Sequence, residues 1–307
     1  MIEQSLFFGD TTIQVSLPDR TRLVGGDGGG PRLEPVADQE AAVRAALAQP
    51  LGLPRVGQMV RPGDRVLIAF DDPTAPSFGP IRRLAIEAIV EELAEAGVPE
   101  ENVALVCANG LHRKWTHQEL ASILGQELVQ RFGSRLTCHD AEDPDNLVHM
   151  GTTSNGYDVE VHRLVMESDL TVYVNAACYL GFNGGWKSVC VGLSTWRSIR
   201  WTHTPDGMTM SVRGNRMHDV FDEMGQHLEP KLGRRVFKVE TLLANMATVG
   251  RVFAGGVAVA LGTSCTSRLP FTTCTVLLCC TIVPMSVASN VLQLIVSVPL
   301  NRVPSAR

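Results

Sequence analysis

Three short stretches of this chain place chemically able side chains close together. The first is Asp71-Asp-Pro-Thr-Ala-Pro76, with carboxylates at Asp71 and Asp72 and a hydroxyl at Thr74. The second is Gly110-Leu-His-Arg-Lys-Trp-Thr-His-Gln-Glu119, which carries His112. The third is Gly181-Phe-Asn-Gly-Gly-Trp-Lys187, followed by Thr202-His203. A loop imidazole such as His112 suits general base work near neutral pH. A lysine such as Lys187 supplies the amine that forms stable acyl-type links to a cofactor. Gly184 and Gly185 remove side chains, so a flat molecule can approach the backbone. Each feature alone has a plainer reading: a surface turn for Gly-Gly-Trp-Lys, a solvated loop histidine for His203, a turn or helix cap for Asp71-Asp72, and a carbonyl partner for His112.

The elements that must position these residues follow from periodicity. RVLIAF and VALVCA are short apolar runs typical of buried strands. Between them IRRLAIEAIVEELAEAG repeats its apolar residues at helical spacing (Ile81, Leu84, Ala85, Ala88, Ile89, Leu93 and Ala96), with Gly97 as its stop. Thr116 to Glu119 is a capping box opening the next helix. RLTCHDA, YDVEVHRLV and DLTVYVNA extend the series, and strands alternating with helices imply an α/β fold with a mostly parallel, doubly wound sheet. Asp71 and Asp72 then follow the first strand, Asn109 to Arg113 the second, His139 and Asp140 the third, and Asn175 the last. Open α/β sheets bind ligands at that carboxyl edge. Ahead of this series, residues 5–17 read as a strand pair closed by Gly9-Asp10, and VGGDGGGPRLEPVAD as a flexible linker.

With 307 residues, 45 % apolar and 19 % charged, the chain is globular and long enough for two domains. A net charge of −5 and 6 % aromatics argue against a nucleic-acid partner. The N-terminus has no secretory pattern, and the eight cysteines form no CxxC pair, so a reducing cytoplasm is expected, with no membrane partner. After Glu240 no Asp, Glu or Lys occurs, and residues 275–300 are uncharged. A transmembrane helix, a buried helix and strand, or a change of reading frame near Ala254 would each give that composition; the abruptness of the shift favours the frame change. The expected organisation is an N-terminal α/β domain over 1–160 with the His112 loop, the start of a second α/β domain over 161–253 with Lys187 and His203, and an anomalous tail over 254–307.

Taken together, in order and spacing, the three stretches resemble the nickel-dependent lactate racemase family across roughly residues 5–253. That resemblance implies an isomerase, a racemase or epimerase of a small 2-hydroxy acid. Its cofactor would be a nickel-pincer nucleotide, a pyridinium mononucleotide holding nickel, made by dedicated cofactor-synthesis proteins. Lys187 matches the lysine that tethers the cofactor as a thioamide, His203 the histidine that completes the nickel coordination, and His112 the base that takes the hydroxyl proton. Asp72, Thr74, Gly184 and Gly185 match the cofactor-binding set. In such enzymes the pyridinium accepts a hydride from the substrate carbon and returns it to the other face. A single imidazole is sufficient protein ligation when sulfur and carbon of the pincer supply the rest. His139, His149, His162, His218 and His227 match nothing in this pattern and read as structural or surface residues.

Two positions depart from the pattern. Ala75 stands where the family has an arginine for the substrate carboxylate, and Ala177 where it has a second catalytic histidine. A methyl cannot replace a bidentate guanidinium. The substrate is therefore expected to be something other than lactate, with Arg113 or Arg82 as alternative cations. A one-faced hydride-transfer enzyme and a non-catalytic carrier of the nucleotide are the competing readings.

Overall fold

The computed structural model describes residues 1–8, 11–21, 34–75, 80–178, 184–207, 216–234, 236–245 and 248–256. The Gly9-Asp10 turn, most of the glycine-rich linker and the tail beyond residue 256 lie outside them. β1 (Ile2–Phe8) and β2 (Thr11–Leu17) form the expected antiparallel pair. A six-stranded sheet dominates the rest. It is built from β3 (Val66–Asp71), β4 (Val103–Ala108), β5 (Leu136–Cys138), β8 (Leu170–Cys178), β9 (Phe237–Asn245) and β10 (Thr248–Gly256), in the order β10-β9-β8-β3-β4-β5. All neighbours run parallel except β9 and β10. The domain boundary expected near residue 160 falls inside this architecture, with β3 to β5 before it and β8 to β10 after it in one sheet.

The sheet is buried on both faces, which explains the uninterrupted apolar runs of β3 and β4. Alternation sends Ile68, Phe70, Leu105, Cys107 and Val172 into one core. That side is covered by α1 (Gln39–Ala48), α2 (Ile81–Glu95), α3 (His117–Leu124) and α4 (Gln126–Phe132). Leu67, Ala69, Val106 and Tyr173 face the other core, under α6 (Lys187–Gly192) and α8 (Arg216–Leu228). The sheet is thus doubly wound. The chain moves outward from β3 to β4 and β5, then crosses back to β8 and β9. The crossing leaves a crevice between the carboxyl ends of β3 and β8, the position where such sheets bind ligands.

Helix α2 ends as expected, with Gly97 at φ +85°. Its buried face is wider than the apolar pattern indicates, because Arg82 and Glu92 are buried too. Helix α3 opens on the expected capping box, with Glu119 N–H donating to Thr116 Oγ1 at 3.3 Å and Thr116 N–H to Glu119 Oε2 at 2.8 Å.

One strand assignment needs correction. YDVEVHRLV does not join the central sheet. Its β7 (Asp158–His162) pairs antiparallel with β6 (Leu147–Thr152), a strand absent from the sequence reading. The turn that joins them contains Asn155-Gly156, a hairpin signal in its own right. The segment then continues as the short helix α5 (Arg163–Glu167). Among the described residues no helix is long and apolar enough to cross a membrane.

Candidate active site

The carboxyl end of β3 is shaped by hydrogen bonds within its own sequence. Asp72 Oδ1 accepts from Thr74 N–H at 3.1 Å and from the Thr74 hydroxyl, an Asx-type turn. Arg82, in the first turn of α2, locks this turn from below. Its Nε donates to Asp71 Oδ1 at 2.8 Å, and its Nη2 to the Ala75 carbonyl at 2.8 Å and the Asp72 carbonyl at 3.2 Å.

At the end of β4 the chain turns through Gly110, whose φ is +55°. A Cβ there would lie 3.0 Å from the Val191 carbonyl oxygen, so the close approach of this loop to α6 requires glycine. Asn109 Nδ2 donates to the His112 carbonyl at 2.9 Å and fixes the loop. His112 Nδ1 then meets Asp72 Oδ2 at 2.7 Å. Lys187 opens α6 after Gly184 and Gly185, with φ of +92° and +55°. The intervening Trp186 packs so closely on Gly225 of α8 that a Cβ at 225 would lie 2.0 Å from its ring. The Gly185 carbonyl also accepts from Lys238 Nζ at 3.0 Å, and Lys238 pairs with Glu240, both fully buried on β9. His203 follows α7 (Trp196–Ile199), its Nδ1 at 3.1 Å from the Ile199 carbonyl and its ring edge-on to Trp196.

These elements converge on one cavity of about 270 Å³ between the ends of β3, β4 and β8 and the start of α6. Asp72, Thr74, His112, Gly184, Lys187 and His203 all line it. Of the expected site residues, Gly185 alone is set back, in the turn behind Lys187. Ala75 lines the cavity as well; the side chain of Ala177 lies outside the described residues. The two arginines expected as substitute cations are engaged elsewhere and do not line the cavity. Arg82 is buried against Asp71, and Arg113 is bonded to Glu119 and lies 3.9 Å above the Trp115 ring. Neither His139, His149, His162, His218 nor His227 lines the cavity.

The electrostatics follow from burial and pairing. Burial pushes the Asp72 carboxyl up, but hydrogen bonds from His112 and Thr74 outweigh it and hold the group below its ordinary value. The Asp72 hydrogen bond raises His112 above 6.5, against burial and the charge of Lys187. Burial alone pushes the Lys187 ammonium down to about 7, so a large fraction is neutral amine near neutral pH. His112 should titrate above 6.5 in the intact protein, followed by its ring-proton NMR signals. Asp72→Asn removes the carboxylate and should bring the midpoint down; an unchanged midpoint would show that Asp72 does not govern the ring.

A profile of the lactate racemase N-terminal domain family matches residues 8–214, more than half of the chain. The chain belongs to that family. The lactate racemase of Thermoanaerobacterium thermosaccharolyticum is 26 % identical over 189 residues, covering 59 % of this chain and 43 % of that protein. That of Lactiplantibacillus plantarum is 24 % identical over 186 residues, covering 59 % and 42 %. The matched sequence therefore covers less than half the length of these racemases. The lactate racemase apoprotein structure from T. thermosaccharolyticum superposes with a TM-score of 0.63 at 24 % identity, over 83 % of this chain and 59 % of that one. A Thermotoga maritima structure gives 0.55 at 20 %, over 73 % and 55 %. Both support the fold. The family match takes in the Asp72, His112, Lys187 and His203 positions, while Lys238 and Glu240 lie beyond it. Sequence reasoning missed that pair, although FKVETLLAN carries its two charges two residues apart in a strand, a spacing that puts both on one face.

Proposed function

We propose that this chain is the cofactor-bearing part of a cytoplasmic racemase or epimerase that acts on a 2-hydroxy acid other than lactate. The convergence of His112, Lys187 and His203 on one cavity supports this reading most strongly. The residues present fit a nickel-pincer nucleotide supplied by cofactor-synthesis proteins. The Lys187 amine, which burial leaves largely available as the neutral nucleophile near pH 7, is competent to form the thioamide link. Gly184 brings backbone without a side chain to the cavity wall, and Gly185 completes the turn behind it. His203 donates its Nδ1 proton to the Ile199 carbonyl, which leaves the Nε2 lone pair for a metal. Among the described residues no cluster of three or more His, Cys, Asp or Glu could hold a metal. His203 would therefore be the protein ligand and the nucleotide would supply the others. When bound, the group supplies a hydride acceptor for the substrate carbon.

The chain's own part is proton handling and orientation. Asp72 stays ionised and accepts the Nδ1 proton of His112, so the ring presents a basic Nε2 to the cavity. That nitrogen takes the substrate hydroxyl proton and gives it back. Because the Asp72 bond raises His112, the free-base form grows as pH rises through a midpoint above 6.5. The rate should climb over the same range.

Ala75 shapes the substrate. Loss of a buried cation from a carboxylate pair costs on the order of 2–5 kcal/mol, tens to thousands of fold in affinity. Lactate has few other handles to recover it, whereas a larger acid can use more of the cavity. With cofactor loaded, chiral analysis should show little lactate racemisation and turnover of a larger 2-hydroxy acid. Ala75→Arg with Ala177→His should raise the lactate rate at least tenfold. Rapid lactate racemisation by the unaltered protein would sink the substrate assignment. Ala75 and Ala177 also favour a second reading, a carrier of the nucleotide. A fully loaded protein inert toward every hydroxy acid tried would establish that one.

A further inference from the structure

β4 and β5 bring two cysteines into direct register. Cys107 and Cys138 are aligned Cα partners on neighbouring parallel strands. Neighbouring strands lie roughly 4.8 Å apart, and Cα atoms of disulfide-bonded cysteines usually lie about 4.4–6.8 Å apart. Both side chains point to the same face, Cys107 inside the core and Cys138 packed against its edge. The register is held by the ladder, and the next bond continues it, His139 N–H donating to the Cys107 carbonyl at 2.9 Å.

The two thiols differ in exposure and surroundings. Cys107 is fully buried, whereas Cys138 is partly exposed. Trp115 N–H donates to Cys138 Sγ at 3.2 Å, and the thiol can donate to the Trp115 carbonyl at 3.4 Å. Arg113, Lys114 and His117 are close enough to favour a negative charge on Cys138; Asp72 opposes it from the end of β3. Donation from Cys107, then from Trp115 N–H, brings Cys138 down to about 7, while Cys107 is pushed up. This is the arrangement of an accessible attacking thiolate beside a buried resolving thiol.

We propose that Cys107 and Cys138 form a dithiol site that reacts with small-molecule disulfides and closes to a disulfide between β4 and β5. In the first step the Cys138 thiolate attacks one sulfur of R–S–S–R, forms a mixed disulfide and releases RS⁻. In the second the Cys107 thiol gives up its proton and attacks the Cys138 sulfur, releasing the second RS⁻. The two protein thiols are oxidised and the small disulfide is reduced to two thiols. The loop from Asn109 to Thr116, which carries His112, starts where β4 ends and touches Cys138 through Trp115, so the site sits at the base of that loop.

The test uses the full chain and oxidised glutathione, with trypsin digestion and mass spectrometry after blocking of free thiols. Cleavage after Arg83, Arg113, Arg135 and Arg163 puts the cysteines in the separate peptides 84–113 and 136–163. In the parent protein these peptides should be recovered disulfide-linked. Cys107→Ala should stop at glutathione on Cys138. Cys138→Ala should leave Cys107 unmodified, with circular dichroism confirming that each variant is folded. Linkage only after unfolding in urea would overturn the proposal. So would free Cys107 and Cys138 in the treated parent, or modification of Cys107 at the parent's rate in Cys138→Ala.

Discussion

Nickel should leave the loaded His203→Ala protein on dialysis, while the nucleotide stays attached. The expectation follows from the division of labour across the cavity. In the proposed reading Lys187 would make the covalent link from the start of α6, whereas His203 would offer only a lone pair, aimed by the Nδ1 contact with Ile199. No other ligand cluster lies among the described residues to replace it. Removing the proposed protein ligand would leave the metal held by the nucleotide alone, and its retention should fall at least tenfold. Nickel measured against bound organic mass, before and after dialysis, separates the two effects. Equal retention in variant and parent would remove His203 from the site.

Arg82→Leu should lower stability by about 3–5 kcal/mol, the usual consequence of stripping one partner from a buried ion pair. At the size of this chain that corresponds to a Tm lower by about 10 °C. The side chain is fully buried and bonds the Asp71 carboxylate and two carbonyls of the loop that presents Asp72. Leucine fills part of the volume but satisfies none of these acceptors. Arg82→Met combined with Asp71→Leu should recover part of the loss, because the uncompensated charge is then gone as well. Thermal unfolding of the three proteins checks this. A Tm within about 2 °C of the parent for Arg82→Leu would show that the pair does not brace the loop.

Much of the fold was legible because burial on both sheet faces writes itself into the sequence as apolar runs. RVLIAF, VALVCA and DLTVYVNA became β3, β4 and β8, and the capping box at Thr116 marked α3. The hairpin of β6 and β7 was misassigned because its alternation is half-buried and says nothing about which partner a strand takes. The candidate site residues were named from their order in the chain, and the fold brings His112, Lys187 and His203 to one cavity. The contacts that hold them were harder to see. Arg82 was legible as a cation, and its spacing on α2 gave no sign that it turns inward to the loop rather than toward a ligand. Lys238 and Glu240 looked like ordinary strand charges, and only the sheet order places them behind Gly185. Pairing across the sheet is set by topology, which a single strand does not encode.

The most direct test is the mass of the peptide containing Lys187, taken from protein produced together with the cofactor-synthesis proteins. Lys187 is buried, with a large fraction of neutral amine near pH 7, and set at the wall of the cavity that also receives His112 and His203. The expected result is a nucleotide adduct on Lys187 in parent protein, with about one nickel per adduct, and neither in Lys187→Ala. Unmodified Lys187 in protein that racemises a hydroxy acid at full rate would contradict the account.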